Sequence, residues 1–122
     1  MAENLNVQYA GPWADLGTVC KYLSKTPEGV VRMVENFELL GCKFNDAKVY
    51  FPVRQFADHT VVDGLGEVLR VLNTGISSPK VWSTWLAGPG PDGQQTIWDA
   101  LRDGRKREVL IEAAHDAARW SR

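Results

Sequence analysis

Two short amphipathic segments separated by a tight break constrain this chain more than any other feature. Leu16, Val19, Cys20 and Leu23 fall at i, i+3, i+4 and i+7, which places four apolar side chains on one face of a helix. Ser24 and Lys25 interrupt that pattern. Thr26 then offers a side-chain oxygen to the free N–H groups of a new helix, Pro27 suits its first turn, and Glu28 favours the positive end of its dipole. A second helix is therefore predicted from Thr26. Its inner side reads as Val30, Val31, Val34 and Phe37, leaving Glu28, Gly29, Arg32, Met33 and Asn36 outside. Two helices joined this closely form a helix-turn-helix, whose second member can enter a DNA major groove. The same pattern also fits an ordinary helical hairpin in an α-bundle.

The chain has 122 residues, and pieces of about 60 residues are only marginally stable alone, so one folding unit is expected. Its 44% hydrophobic and 24% charged residues are ordinary for a globular protein. No window approaches the roughly 20 apolar residues of a membrane helix, and residues 1–20 lack a basic stretch followed by an apolar run. A soluble, cytoplasmic protein is predicted. Cys20 and Cys42 lack metal-ligand spacing and read as reduced structural thiols. The formal charge of −1 argues against a non-specific nucleic-acid binder without excluding a specific one. Any basic surface must be assembled by folding, from Lys25, Arg32, Lys43 and Lys48.

Along the chain, residues 1–12 read as a flexible arm that ends where Trp13 packs as an anchor. Residues 13–57 hold the helix pair and residues 58–122 a helical, partner-binding region. Leu39, Leu40 and Gly41 read as a helix end, with glycine supplying a left-handed terminus. Cys42–Phe44 and Ala47–Phe51 flank Asn45-Asp46 as the strands of a hairpin. A helix-turn-helix followed by a small hairpin has the layout of a winged helix, with Lys43 and Lys48 placed to reach phosphates. Pro52–Ala57 reads as a turn and Asp58–Gly64 as a polar connector. Helices follow from Leu65 to Gly75, from Ser78-Pro79 onward, over Thr96–Leu101, and from Arg105 toward Trp120. Val109, Leu110, Ala113, Ala114 and Ala117 mark the buried stripe of the last helix. The fold class is mainly α: an N-terminal (winged) helix-turn-helix with a small β-hairpin, packed on a C-terminal helical bundle.

No catalytic constellation is present, and an enzyme is not expected. His59 and His115 lack ligand-spaced partners, and no G-x-S-x-G motif occurs. The Gly88–Gly93 loop lacks the strand and Lys-Ser/Thr of a phosphate cradle, and its prolines remove N–H donors. Neither metal nor cofactor is predicted. The residue chemistry points to DNA instead. Arg32 suits guanine or phosphate, Asn36 adenine, and Glu28 a cytosine amino group. Lys25, Thr26, Met33, Lys43 and Lys48 complete the candidate interface, with Met33 open to a packing role. Arg105-Lys106-Arg107 stands at a helix start, where the dipole disfavours cations, which suggests an anionic partner. Neutralisation by Asp99, Asp103 and Glu108 is the alternative. Trp82, Trp85, Trp98 and Trp120 crowd the last third; one or two exposed there would mark a partner site.

Leu16–Phe56, with the run Phe51-Pro52-Val53-Arg54-Gln55-Phe56, resembles the MerR/excisionase-like winged helix-turn-helix of small actinobacterial DNA-binding proteins. The tail, through Trp85-Leu86, Pro89-Gly90-Pro91, Asp99-Ala100-Leu101, Gly104-Arg105 and Val109, resembles the toxin-binding domain of Xre/MbcA/ParS antitoxins. The resemblance implies a sequence-specific, autoregulating transcriptional regulator that also neutralises a toxin. It points to Trp85, Leu86, Gly104, Arg105 and Val109 as family-matching positions, some of which support the fold. Trp85, Leu86, Arg105 and Val109 are the partner candidates, to which the basic run adds Lys106 and Arg107. Double-stranded DNA, a second copy of the chain and a toxin or other protein are the implied partners. A protein-interaction module with little DNA binding, or an excisionase-like architectural protein, are the competing readings.

Overall fold

In the computed structural model, residues 12–121 are described. They form a mainly α-helical fold with a small antiparallel sheet. The arm expected at residues 1–12 lies outside the described residues except for Pro12. Trp13 is more than an anchor: Trp13–Asp15 is strand β1. Asp15 then caps helix α1 (Leu16–Leu23), its carboxylate accepting the Thr18 N–H at 2.8 Å. Ser24 closes α1 in the left-handed region at φ 56°. Helix α2 (Pro27–Glu35) starts as the sequence predicts, with the Thr26 hydroxyl accepting the Gly29 N–H at 3.1 Å.

The end of α2 differs from expectation. The left-handed residue is Phe37, at φ 63°, and Gly41 has no such conformation. The Glu38 N–H donates to the Met33 carbonyl at 2.8 Å and the Phe37 N–H to that of Val34 at 3.1 Å. This is the paired Schellman arrangement, which stops the helix several residues before the apolar run Leu39-Leu40. Gly41 instead lies against the side chains of Val34, Val49 and Phe51.

The predicted hairpin forms from β2 (Cys42–Lys43) and β3 (Val49–Pro52), with Cys42 opposite Tyr50 and Lys43 opposite Val49. Its loop is Asn45-Asp46-Ala47. The Ala47 N–H donates to the Phe44 carbonyl at 2.9 Å, the Phe44 N–H to that of Lys48 at 3.1 Å, and Ala47 takes φ 65°. A three-residue loop of this kind favours glycine at the left-handed place, which alanine fills here. Strand β1 pairs with the other edge of β3, giving the order β1-β3-β2.

A second hairpin replaces the expected turn and connector. After a 3-10 turn at Val53–Gln55, β4 (Phe56–Ala57) pairs with β5 (Thr60–Val61). Asp58 and His59, both at positive φ, form its two-residue loop, so the division expected at 57/58 falls within this hairpin, between β4 and its loop. Helices α3 (Leu65–Gly75), α4 (Pro79–Ala87), α5 (Ile97–Arg102) and α6 (Lys106–Trp120) then follow near the predicted places.

The segment that enters β2 serves two cores. Leu40, Cys42 and Phe44 join the main core with Leu69, Leu72, Trp98 and Val109, while Leu39 joins Val19, Val30 and Phe51 beneath α1 and α2. The helix α3 packs extensively on α6. At their crossing a Cβ on Gly75 would stand 2.6 Å from the Ala117 Cα, so only glycine allows this approach. On α6, Val109, Ala113 and Ala117 are buried as predicted; Ala114 is exposed because it falls to the side of that stripe. Burial pushes the Cys42 thiol up to about 12, in keeping with a reduced structural cysteine.

The fully buried Gln55 ties these layers together. Its amide accepts the Leu40 N–H at 2.9 Å and donates to the carbonyls of Leu40 and Pro52 at 2.9 and 3.0 Å. Truncation would leave three buried backbone groups without their partner. Gln55→Ala is expected to lower unfolding free energy by about 2–4 kcal/mol, read as a lower urea midpoint. Ala47→Gly is expected to do the reverse. Relief of left-handed strain, about 1–2 kcal/mol, outweighs the added unfolded-state entropy of about 0.4–1 kcal/mol, and the same titration would show a higher midpoint.

Candidate nucleic-acid interface

Helix α2 is held by Val30, whose side chain is fully buried, with Met33 and Val34 packed partly against the same small cluster. This corrects two assignments. Val31, expected inside, is 46% exposed, while Met33, expected at the interface, packs against the core. The cause is angular: Met33 and Val34 sit three and four residues after Val30 on its own face, whereas Val31 is turned about 100° away. Pro27, Glu28, Val31, Arg32 and Glu35 line a shallow outer groove of about 290 Å³.

Thr26, predicted as a contact residue, spends one of its two acceptor lone pairs on the helix cap and keeps the other, with its hydroxyl proton, for another group. Asn36 forms the C-cap, and its carbonyl accepts from Arg70 Nη2 at 2.9 Å, which leaves its exposed side chain near the far end of the helix. Glu28 and Asn36 are separated by about 12 Å along the axis. In the hairpin loop, Asp46 accepts both the Lys48 N–H at 3.0 Å and the Tyr50 hydroxyl at 2.7 Å. The Tyr50 hydroxyl holds the Asp46 carboxyl below its usual range. These bonds fix the loop between exposed Lys43 and exposed Lys48.

Basic residues divide sharply by position. Lys25, Arg32, Lys43 and Lys48 are all exposed, and among the described residues none is held in an ion pair or side-chain hydrogen bond. Arg54 and most bases of the second half are engaged. Arg54 pairs with Asp99 at 3.2 Å, and Arg102 donates to the carbonyls of Arg54 and Phe56 at 3.1 and 3.0 Å. Arg105 pairs with Asp92 at 3.0 Å and Glu108 at 2.7 Å, and Lys106 with Glu67 at 3.0 Å. Only Arg107 of that run is exposed without such a contact among the described residues. Neutralisation thus comes chiefly from Asp92, Glu108 and Glu67, since Asp99 is taken by Arg54. The proposed anionic partner of this run is not needed to explain it.

Two further partner positions are corrected. Leu86 and Val109 are fully buried, so neither meets a partner on the folded protein. Trp98 and Trp82 are also core residues, whereas Trp85 and Trp120 are half-buried. The Trp85 indole donates to Asp116 Oδ2 at 2.7 Å. His59 and His115 are exposed, as predicted for a loop and a helix surface. The His59 ring stacks on Tyr22 with centroids 4.9 Å apart, and the His59 backbone N–H donates to the Tyr22 hydroxyl at 2.8 Å. Among the described residues no group of His, Cys, Asp and Glu is arranged to hold a metal ion. No helix among them is long and apolar enough to cross a membrane.

No protein-family model and no curated protein matches this chain. Among solved structures, the NMR structure of Rv2175c is similar. It is 24% identical, with a TM-score of 0.76, and the match covers 87% of this chain and 81% of that one. Most of the architecture is therefore shared between the two chains. The likeness concerns the fold.

The acid partners of Arg105 generate a pH dependence. Asp92 is held below its usual range first by the Gln94 N–H and then by Arg105, and Glu108 chiefly by Arg105. Carboxyls depressed by folding stabilise the native state above their unfolded values and lose that contribution as pH falls through the folded ones. Stability is therefore expected to decline as pH drops below about 4.5. Arg105→Ala should lower the urea midpoint more at pH 6 than at pH 2.5. An equal loss at both values would show that the arginine acts through packing alone.

Proposed function

We propose that this protein is a sequence-specific DNA-binding transcriptional regulator, with α2 as its recognition helix and the β2–β3 hairpin as its wing. One observation carries the reading: the unpaired bases Lys25, Arg32, Lys43 and Lys48 lie on a helix-turn-helix and the following hairpin, while the second half engages most of its bases internally. A small core of Val19, Val30, Leu39 and Phe51 joins α1, α2 and β3, so helix and hairpin move as one frame. Rigid support of this kind is what base reading requires. The resemblance to MerR/excisionase-like proteins favours the same assignment.

Arg32 contacts guanine or a phosphate, Glu28 a cytosine amino group, and the two hairpin lysines hold the backbone. Glu28 and Glu35 flank Arg32 on the outer face, so like-sign repulsion from phosphates keeps non-specific affinity low. Nine helical residues reach few base pairs, and a homodimer on a two-fold operator supplies the remaining contacts. The toxin-binding part of the resemblance has less support, because Leu86 and Val109 are interior.

A duplex library selected on the full chain supplies the operator. On that operator, Arg32→Ala is expected to cost about 1–3 kcal/mol of specific binding, measured by fluorescence anisotropy at fixed salt. Lys43→Ala and Lys48→Ala should each reduce the slope of log affinity against log salt by about one. Failure of the library to enrich any sequence would defeat the proposal.

A further inference from the structure

A groove between α4 and α6 remains outside the DNA-binding reading. At one end Thr84, Trp85, Pro89, Ile97, Glu112 and Asp116 line a cavity of about 320 Å³. It continues past Thr84 and Trp85 into an apolar cavity of about 450 Å³ bounded by Val81, Trp120 and the Lys80 stem. Trp85, Glu112 and Asp116 line one end of the groove, and Val81 and Trp120 the other. Glu112, Asp116 and Trp120 recur every four residues on α6, opposite Val81 and Trp85 on α4. The stripe from Glu112 to Trp120 extends about 12 Å.

The polar groups of this groove differ in availability. Asp116 is spent: one oxygen accepts the Trp85 indole N–H at 2.7 Å and the other pairs with Arg119 at 2.7 Å. That arrangement fixes the Trp85 ring as a wall. Glu112 is exposed and, among the described residues, has neither an ion pair nor a hydrogen bond. The groove thus offers an open carboxylate, then a fixed indole face, then an apolar well closed by a second tryptophan. A guanidinium or ammonium on a methylene stem complements the first two. An adjacent apolar side chain complements the third.

We infer that this groove binds a basic segment of a protein partner, with an arginine or lysine directed to Glu112 along Trp85 and a neighbouring apolar residue seated between Val81 and Trp120. Arg119 is paired with Asp116, and the Lys80 ammonium lies 5.2 Å from the Phe44 ring centroid. Glu112 is thus left as the open charge of the lining, and charge complementarity selects this occupant over an acidic one. The apolar well selects it over an isolated cation. The site is independent of α2, so the inference does not rest on DNA binding.

The test is an NMR titration of the full chain, following the Trp85 indole N–H, with the blocked peptide acetyl-Leu-Gly-Arg-amide. A saturable shift is expected. Replacing arginine by glutamine in the peptide, or Glu112→Gln in the protein, should weaken binding roughly tenfold. Trp120→Ala should weaken the leucine-containing peptide while leaving acetyl-Gly-Gly-Arg-amide little changed. Equal affinity for the arginine and glutamine peptides would overturn the proposal, as would the absence of saturation. A shift of the same indole signal on diluting peptide-free protein would overturn it too, by placing a second copy of the chain in the groove.

Discussion

The interactions of Gln55 hold the two parts of the molecule in register. The segment Leu39–Cys42 leaves α2, passes between the two cores and enters β2, so its backbone polar groups meet little water. Gln55 supplies both a donor and an acceptor to Leu40 and a second donor bond to Pro52. Its own carbonyl accepts the Val62 N–H at 2.8 Å, which carries the same connection into the run before α3. An apolar residue could fill this volume but could not satisfy those groups. A shorter polar side chain could not reach both sides.

With that clamp in place, the division of apolar residues between adjacent positions becomes consequential. Leu39 turns toward α1 and α2, and Leu40 toward the helical tail. A one-residue slip would exchange the two sets and strip both cores. The position of the hairpin relative to α2 is therefore set by packing on both faces. Asp99 and Arg102 strengthen the same junction from α5, by an ion pair with Arg54 and by bonds to the carbonyls of Arg54 and Phe56.

The helices were legible in the sequence because their signals are local. Thr26-Pro27 and Ser78-Pro79 mark starts, and Leu65, Val68, Leu69 and Leu72 mark a buried stripe that the structure buries completely. What escaped depends on tertiary pairing. Trp13–Asp15 is too short to show alternation, and it is a strand only because β3 presents a free edge. Asp58-His59 is not a strong hairpin dipeptide, yet both residue types tolerate positive φ. Phe37 in the left-handed region was invisible because its ring, 6.1 Å from that of Trp82, packs against a residue distant in sequence. Of the candidate interface, the exposed bases were legible. The exchange of Val31 and Met33 could have been found by measuring angles from Val30.

The charges that tie this fold together differ from those it leaves exposed on α2 and the β2–β3 hairpin. Arg102, Arg105 and Lys106 tether loops and helices to one another, so removing any of them releases a contact made within the fold. Arg32, Lys43 and Lys48 contact nothing comparable among the described residues, and exposed pairs or lone charges contribute little to stability. Substitutions at those positions therefore change the surface without unsettling the core. A formal net charge of −1 then reflects the balance of the whole chain, and the local distribution of unpaired bases decides what the helix pair can approach.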